Sequence, residues 1–128
     1  MRGIITLLLS ALVLLTVACS GTEKTPEISQ TELISRINDN SAPVIVDVRT
    51  VTEYRRGHIV GAINIPYHNY PQLFGELKLS KGDEIVIYCE TGEQSQTVAE
   101  YLQQQGFFEV RLLPEGMRGW RRAGLREE

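Results

Sequence analysis

The sequence is poor in cysteine, with two in 128 residues, and equally poor in histidine. Two thiols are too few for a disulfide scaffold or a cysteine-rich zinc site, and nothing in the chain calls for a metal or another cofactor. A positive excess is missing as well: 13 Lys+Arg stand against 16 Asp+Glu, a formal charge of −3. Without a basic field to displace counterions from phosphates, nucleic-acid binding is excluded as a default role. Nor does any hydrophobic run reach the roughly 20 residues that a membrane-spanning helix wants. What remains, 42% hydrophobic and 23% charged residues, is ordinary globular composition, and the length allows one compact domain.

The fifteen uncharged residues Ile4–Ala18 follow Met1-Arg2-Gly3, and together they read as the apolar segment of a secretory leader. The run ends Leu15-Thr16-Val17-Ala18-Cys19-Ser20, which resembles a bacterial lipobox, with Thr16 where leucine is commoner. That resemblance implies a signal peptide over 1–18 and a lipidated Cys19. Two or three acyl chains anchor stably, where one is marginal. Ser20 is not the aspartate that retains such proteins in the inner membrane of enteric bacteria. The expected location is the cell envelope, on the periplasmic face of the outer membrane if the source is Gram-negative. Residues 19–27 are polar and read as a lipidated tether, which leaves 28–128 as the folded domain. A lipidated Cys19 also makes Cys89 the one free thiol, in a compartment where thiols are normally oxidised.

From Ile28 onward apolar strand-like runs alternate with helical patterns. Leu33, Ile34 and Ile37 share a helical face over 31–37, with Ser29 or Thr31 available as N-cap. Val44–Val48 and Glu84–Tyr88 are β-rich runs of the kind buried on both faces of a sheet. Shorter strands are expected over 62–65 and 110–113. Further helices are expected over 50–56, 70–77, 95–105 and 117–123, the third of these closed by Gly106. Such alternation implies an α/β fold: a mostly parallel sheet with helices on both faces and ligands beyond the carboxyl ends of the strands.

Cys89 falls at such an end. The segment EIVIYC-ETGEQ-SQTVAEYL reads as strand, cysteine, short polar loop and helix. A thiolate there looks toward loop amides and the positive end of the next helix, which stabilise it and can cradle an attached anion. A buried structural cysteine is the bland alternative, and the polar residues Glu90–Gln94 argue against it.

These residues resemble the rhodanese family. Asp47-Val48-Arg49 with Glu53, then Gly57-His58-Ile59-Val60-Gly61-Ala62-Ile63-Asn64-Ile65-Pro66, is similar to its D-x-R … E … G-H-I-x-G-A-x-N-I-P signature. Tyr88-Cys89, then Gly116-Met117-Arg118-Gly119-Trp120 and Arg122-Ala123-Gly124, extend the match over about 28–125. The resemblance implies a rhodanese-like five-stranded sheet and a sulfurtransferase. Cys89 would take a sulfane sulfur as a persulfide and pass it to an external thiol or a cyanide-like acceptor. The partners would be small-molecule or protein sulfur donors and acceptors. It implies an active-site loop of Glu90, Thr91, Gly92, Glu93, Gln94 and Ser95, with Asp47 and Arg49 as a supporting ion pair. Tyr67, Met117 and Trp120 are expected at the rim. His58 is expected to brace the turn after Gly57, and His68 to be exposed to solvent.

The departures matter. Thiosulfate-using loops resemble C-R-x-G-x-R, whereas Glu90 and Gln94 hold those positions here and Glu93 adds an acid; Glu115 replaces the first glycine of the usual G-G-M. Two carboxylates about 6–8 Å from the sulfur would each cost a thiolate about 0.5–1.4 kcal/mol at dielectrics of 40–80. The helix terminus returns about 0.3–2 kcal/mol. Thiosulfate is therefore expected to be a poor donor. A phosphatase or arsenate reductase reading fails for want of a loop arginine, and a dithiol mechanism for want of a second cysteine. The reading that competes from another class is a non-catalytic binding or persulfide-carrier module at the membrane.

Overall fold

The computed structural model describes residues 23–128. The expected leader over 1–18 and the expected lipidation site Cys19 lie outside the described residues. Among the described residues no helix is long and apolar enough to cross a membrane.

The chain runs α1 (Gln30–Asn38), β1 (Val44–Asp47), α2 (Val51–Arg55), β2 (Ile63–Asn64), a 3₁₀ turn (Tyr67–Asn69), α3 (Tyr70–Glu76), β3 (Ile85–Tyr88), α4 (Glu93–Gln104), β4 (Val110–Leu112) and α5 (Gly116–Arg122). Each start has a local cause. Ser29 caps α1 by accepting from the Glu32 amide, so it, not Thr31, is the N-cap. Thr50 and Glu53 form a reciprocal capping box at α2. Gly92, at φ 113°, turns the chain so that α4 begins at Glu93, two residues earlier than the sequence pattern suggests.

The sheet is parallel throughout, in the order β2-β1-β3-β4. Four strands form where five are expected. The fifth position, beside β4, holds only a parallel bridge between Glu27 and Leu112. Pro26 has no amide to donate, and Ser29 already caps α1, so no ladder can extend there. This segment nevertheless covers the β4 edge: the Leu112 amide donates to Pro26 O, and the Ile28 amide returns a bond to Leu112 O. Thr25 is buried, with its hydroxyl 3.5 Å from Gln103 Oε1. The described part of the expected tether is thus docked on the domain.

Alternate residues of the central strands feed two cores. Val46, Val48, Ile85 and Ile87 pack with Phe74 of α3 and Val98, Ala99 and Leu102 of α4. Ile45, Val86 and Tyr88 pack on the other face with Leu33 of α1 and Met117 and Trp120 of α5. The two-residue period of a strand makes this division. It puts Cys89, two residues beyond Ile87, on the α3–α4 side.

Opposite the strand ends that carry Cys89, charge holds α1 to the sheet. Arg36 donates to both oxygens of Glu84 at 2.7 Å, and Arg111 reaches Glu32 at 2.7 Å and Glu84 at 3.4 Å. The Arg36 hydrogen bonds hold the Glu84 carboxyl below its ordinary value of 4.5. Because the folded pKa is depressed, the stabilisation is complete above that value and is lost as pH falls through the lower folded one. Urea midpoints measured against pH should therefore show an acid-side decline that Glu84→Gln reduces, with about 1 kcal/mol lost by that variant at neutral pH.

Candidate active site

The chain leaves β3 at Tyr88 and delivers Cys89 to the carboxyl edge of the sheet. There Cys89 borders a cavity of about 410 Å³ lined by Val48, Arg49, Thr50, Glu53, Tyr67, His68, Cys89, Glu90, Thr91, Glu93 and Gln94. The thiol is only 2% exposed and its residue belongs to the α3–α4 core. Buried and cavity-facing are therefore not alternatives here, as the sequence reading supposed. The polar residues that follow form the wall of the cavity instead of opening the cysteine to bulk solvent.

The sulfur has two polar neighbours. The Gly92 amide donates to Sγ at 3.0 Å, and the thiol donates to Ser95 Oγ at 3.7 Å. Ser95 Oγ in turn donates to Gly92 O at 2.9 Å, which ties the first turn of α4 to the loop. No side chain caps α4 at Gly92, and the first N–H groups of an α-helix have no partner within the helix. Of the expected loop, Glu90, Thr91 and Gly92 are irregular, while Glu93, Gln94 and Ser95 are already helical.

The loop is held from behind by α5. Met117 N–H donates to Cys89 O at 2.9 Å, and Arg118 N–H to Glu90 O at 3.1 Å. So close an approach needs Gly116, at φ 50°; a Cβ there would stand 2.1 Å from Cys89 O. Glu115 enters the same turn at φ 59°. Its carboxylate pairs with Arg122 over a separate notch that shares Thr91 with the sulfur cavity.

Two expected rim residues are not at the rim. Met117 and Trp120 are fully buried in the second core. The turn that brings the Met117 amide to Cys89 O carries its side chain to the opposite face of the sheet, and Trp120, three residues on, follows it. Trp120 Nε1 donates to Arg126 O at 3.0 Å, which satisfies its one polar atom. Tyr67 does line the cavity, as does the exposed His68. His58 lies elsewhere: its ring stacks on Tyr54 at 3.7 Å, Nδ1 is 2.9 Å from Tyr54 O, and its backbone pairs with that of Glu128.

Asp47 and Arg49 stand beside the cysteine as a buried ion pair. Arg49 Nη2 donates to Asp47 Oδ2 at 2.7 Å and to Gly57 O at 2.8 Å, and Nε reaches both carboxylate oxygens at 3.1 Å. Burial works against the Arg49 charge, and the Asp47 hydrogen bonds more than restore it, holding its pKa above the ordinary arginine value. The neighbouring Tyr88 phenol is pushed well above the tyrosine range, first by burial and then by the Asp47 charge. Arg49 also extends Nη1 to Glu90 at 3.4 Å, and Arg121 lies 3.8 Å from the other Glu90 oxygen. Glu90 therefore does not face the sulfur as an uncompensated charge.

Glu53 and Thr50 are cavity residues that sequence reasoning did not place. The T-x-x-E spacing of Thr50 and Glu53 was a legible capping box, but only the fold turns that box toward Cys89. The Thr50 amide and hydroxyl donate to Glu53 at 3.0 and 2.6 Å and hold its carboxyl below the usual range. Glu93, by contrast, makes no ion pair with the described residues.

Known proteins resemble this chain in sequence and in fold. A family model for the rhodanese-like domain matches residues 29–123. A sulfurtransferase of Allochromatium vinosum is 36% identical over 99 residues, covering 77% of this chain and 91% of that protein. The thiosulfate sulfurtransferase GlpE of Stutzerimonas stutzeri is 35% identical, over 64% of this chain and 73% of its own length. The solution structure of a rhodanese-like domain from an Anabaena protein superposes with a TM-score of 0.73 at 29% identity, over 80% of this chain and 78% of that one.

Gly116 offers a direct test of the loop's support. Gly116→Ala should destabilise the domain by about 2–4 kcal/mol, because the backbone is in the left-handed region and the new methyl meets a carbonyl with no freedom to retreat. Thermal melts measure it; a loss below about 0.5 kcal/mol would contradict the close approach.

Proposed function

The chain belongs to the rhodanese-like domain family, and we propose on that footing that it is a sulfurtransferase in which Cys89 carries the sulfur. The Cys89 thiolate attacks the sulfane sulfur of a donor. A new S–S bond forms at Cys89, the donor's own S–S bond breaks, and a thiolate or sulfite leaves with the electron pair. An external thiolate then attacks the outer sulfur, which regenerates the Cys89 thiolate and releases a persulfide of the acceptor. No oxidant is consumed. The observation that carries this reading is the placement of Cys89 Sγ on the cavity with the Gly92 amide 3.0 Å away. The amides of Glu90–Ser95, at the uncapped start of α4, supply a cradle for the charge of a perthiolate.

The cavity wall disfavours thiosulfate. Its carboxylates belong to Glu53, Glu90 and Glu93, and its one arginine, Arg49, is already committed to Asp47. A dianion that places its charge at the reacting end meets a negative wall, whereas the persulfide of an uncharged thiol does not. Mass spectrometry tests the assignment. Wild type treated with such a persulfide should gain the mass of one sulfur, lose it to cyanide or thiols, and load more slowly from thiosulfate. Cys89→Ser should gain nothing. Loading without multiple turnover would support the persulfide-carrier module instead, and an inert Cys89 would refute both.

We further propose that the chain is lipid-anchored in the bacterial cell envelope. The support is the leader-like run Ile4–Ala18 followed directly by Cys19. Metabolic labelling with a radiolabelled fatty acid should mark the protein and fail for Cys19→Ser; equal labelling of the two would overturn the assignment.

A further inference from the structure

Resting on the sulfurtransferase reading, we propose that the cavity selects its sulfur acceptor by charge, favouring amine-bearing thiols over anionic ones, and that Glu93 is the residue that reads the charge. The three carboxylates on the wall are not equivalent. Glu53 keeps its charge but is fixed in the capping box of α2, both Thr50 donors bonding to its Oε2. Glu90 is shared between Arg49 and Arg121. Glu93 is exposed, lines the same cavity as Cys89, and pairs with no cation among the described residues. The wall's other formal charge, on Arg49, is offset by Asp47 at 2.7 Å.

The acceptor must bring its own thiolate to the outer sulfur of the Cys89 perthiolate, so two negative charges approach in a negative cavity. An ammonium two carbons from the attacking sulfur lies within reach of Glu93 and offsets that repulsion. A sulfonate at the same distance adds to it. Glu93 occupies the first position of α4, directly after the loop that carries Cys89. The transfer itself is balanced: acceptor thiolate and Cys89 persulfide give acceptor persulfide and Cys89 thiolate, with one S–S bond formed and one broken.

At separations of about 6 Å and dielectrics of 40–80, one unit of charge changes the rate by about three- to tenfold. The test loads full-length protein on Cys89 with the persulfide of 2-mercaptoethanol. It then follows discharge to cysteamine, 2-mercaptoethanol and 2-mercaptoethanesulfonate, each rate corrected to the thiolate present. Cysteamine should be fastest and the sulfonate slowest, with the spread narrowing as salt is raised. Glu93→Gln should compress the spread, Glu93→Lys should reverse it, and Glu93→Asp should retain it, a pattern that a purely structural role for Glu93 would not produce. Equal rates, or the sulfonate fastest, in a protein that loads normally would overturn the charge selection alone. A protein that takes no sulfur overturns the sulfurtransferase reading and this inference with it.

Discussion

The turn after β3 depends on a contact between two backbones. Cys89 and Glu90 leave the sheet with carbonyl groups that need donors, and the amides of Met117 and Arg118 supply them. Buried main-chain groups are costly to leave unpaired, so the loop that carries the thiol is only as well placed as the start of α5. That start reaches the loop because Gly116 has no side chain to obstruct it. The same turn sends Met117 and Trp120 into the opposite core, so the packing of one face of the sheet fixes the reactive atom on the other.

Charge is arranged with comparable economy. Arg49 is buried against Asp47, and breaking such a pair typically costs about 3–5 kcal/mol because one charge is left without compensation. Through Gly57 O and Glu90, the same guanidinium spans the end of β1, the turn after α2 and the loop of Cys89. It is a strut before it is an electrostatic attractor. With Arg49 committed in this way and Glu90 paired, Glu93 is the loop carboxylate left without a cation among the described residues, and the Gly92 amide at 3.0 Å is the donor that meets the sulfur.

The architecture was readable because strands buried on both faces and helices with one apolar stripe leave different periods in a sequence. Val44–Val48 and Glu84–Tyr88 were legible for that reason, and so was the position of Cys89 at a strand end. Element edges were less so. Gly92 starts α4 early through a left-handed turn, and Pro26 prevents a fifth strand through a missing donor. Both effects act at single residues and leave no periodic signal. The buried positions of Met117 and Trp120 were not visible, since a short helix next to the site offers no pattern to say which side faces it.

By itself the sequence determined the chemistry available to this protein: one cysteine after a β-rich run, an acidic and glycine-containing loop, and the paired Asp47 and Arg49. These follow from residue type and short-range spacing. Only the tertiary structure decided which carboxylates remain free to act. Glu53, Glu90, Glu93 and Glu115 are alike in sequence. Ion pairs and hydrogen bonds to Thr50, Arg49, Arg121 and Arg122 occupy three of them and leave Glu93 at the cavity. The Thr50 and Arg122 contacts are local, but Glu90 is offset by Arg49 and Arg121 from elements far apart in the chain, so its charge is set by its neighbours in space and not by its neighbours in sequence.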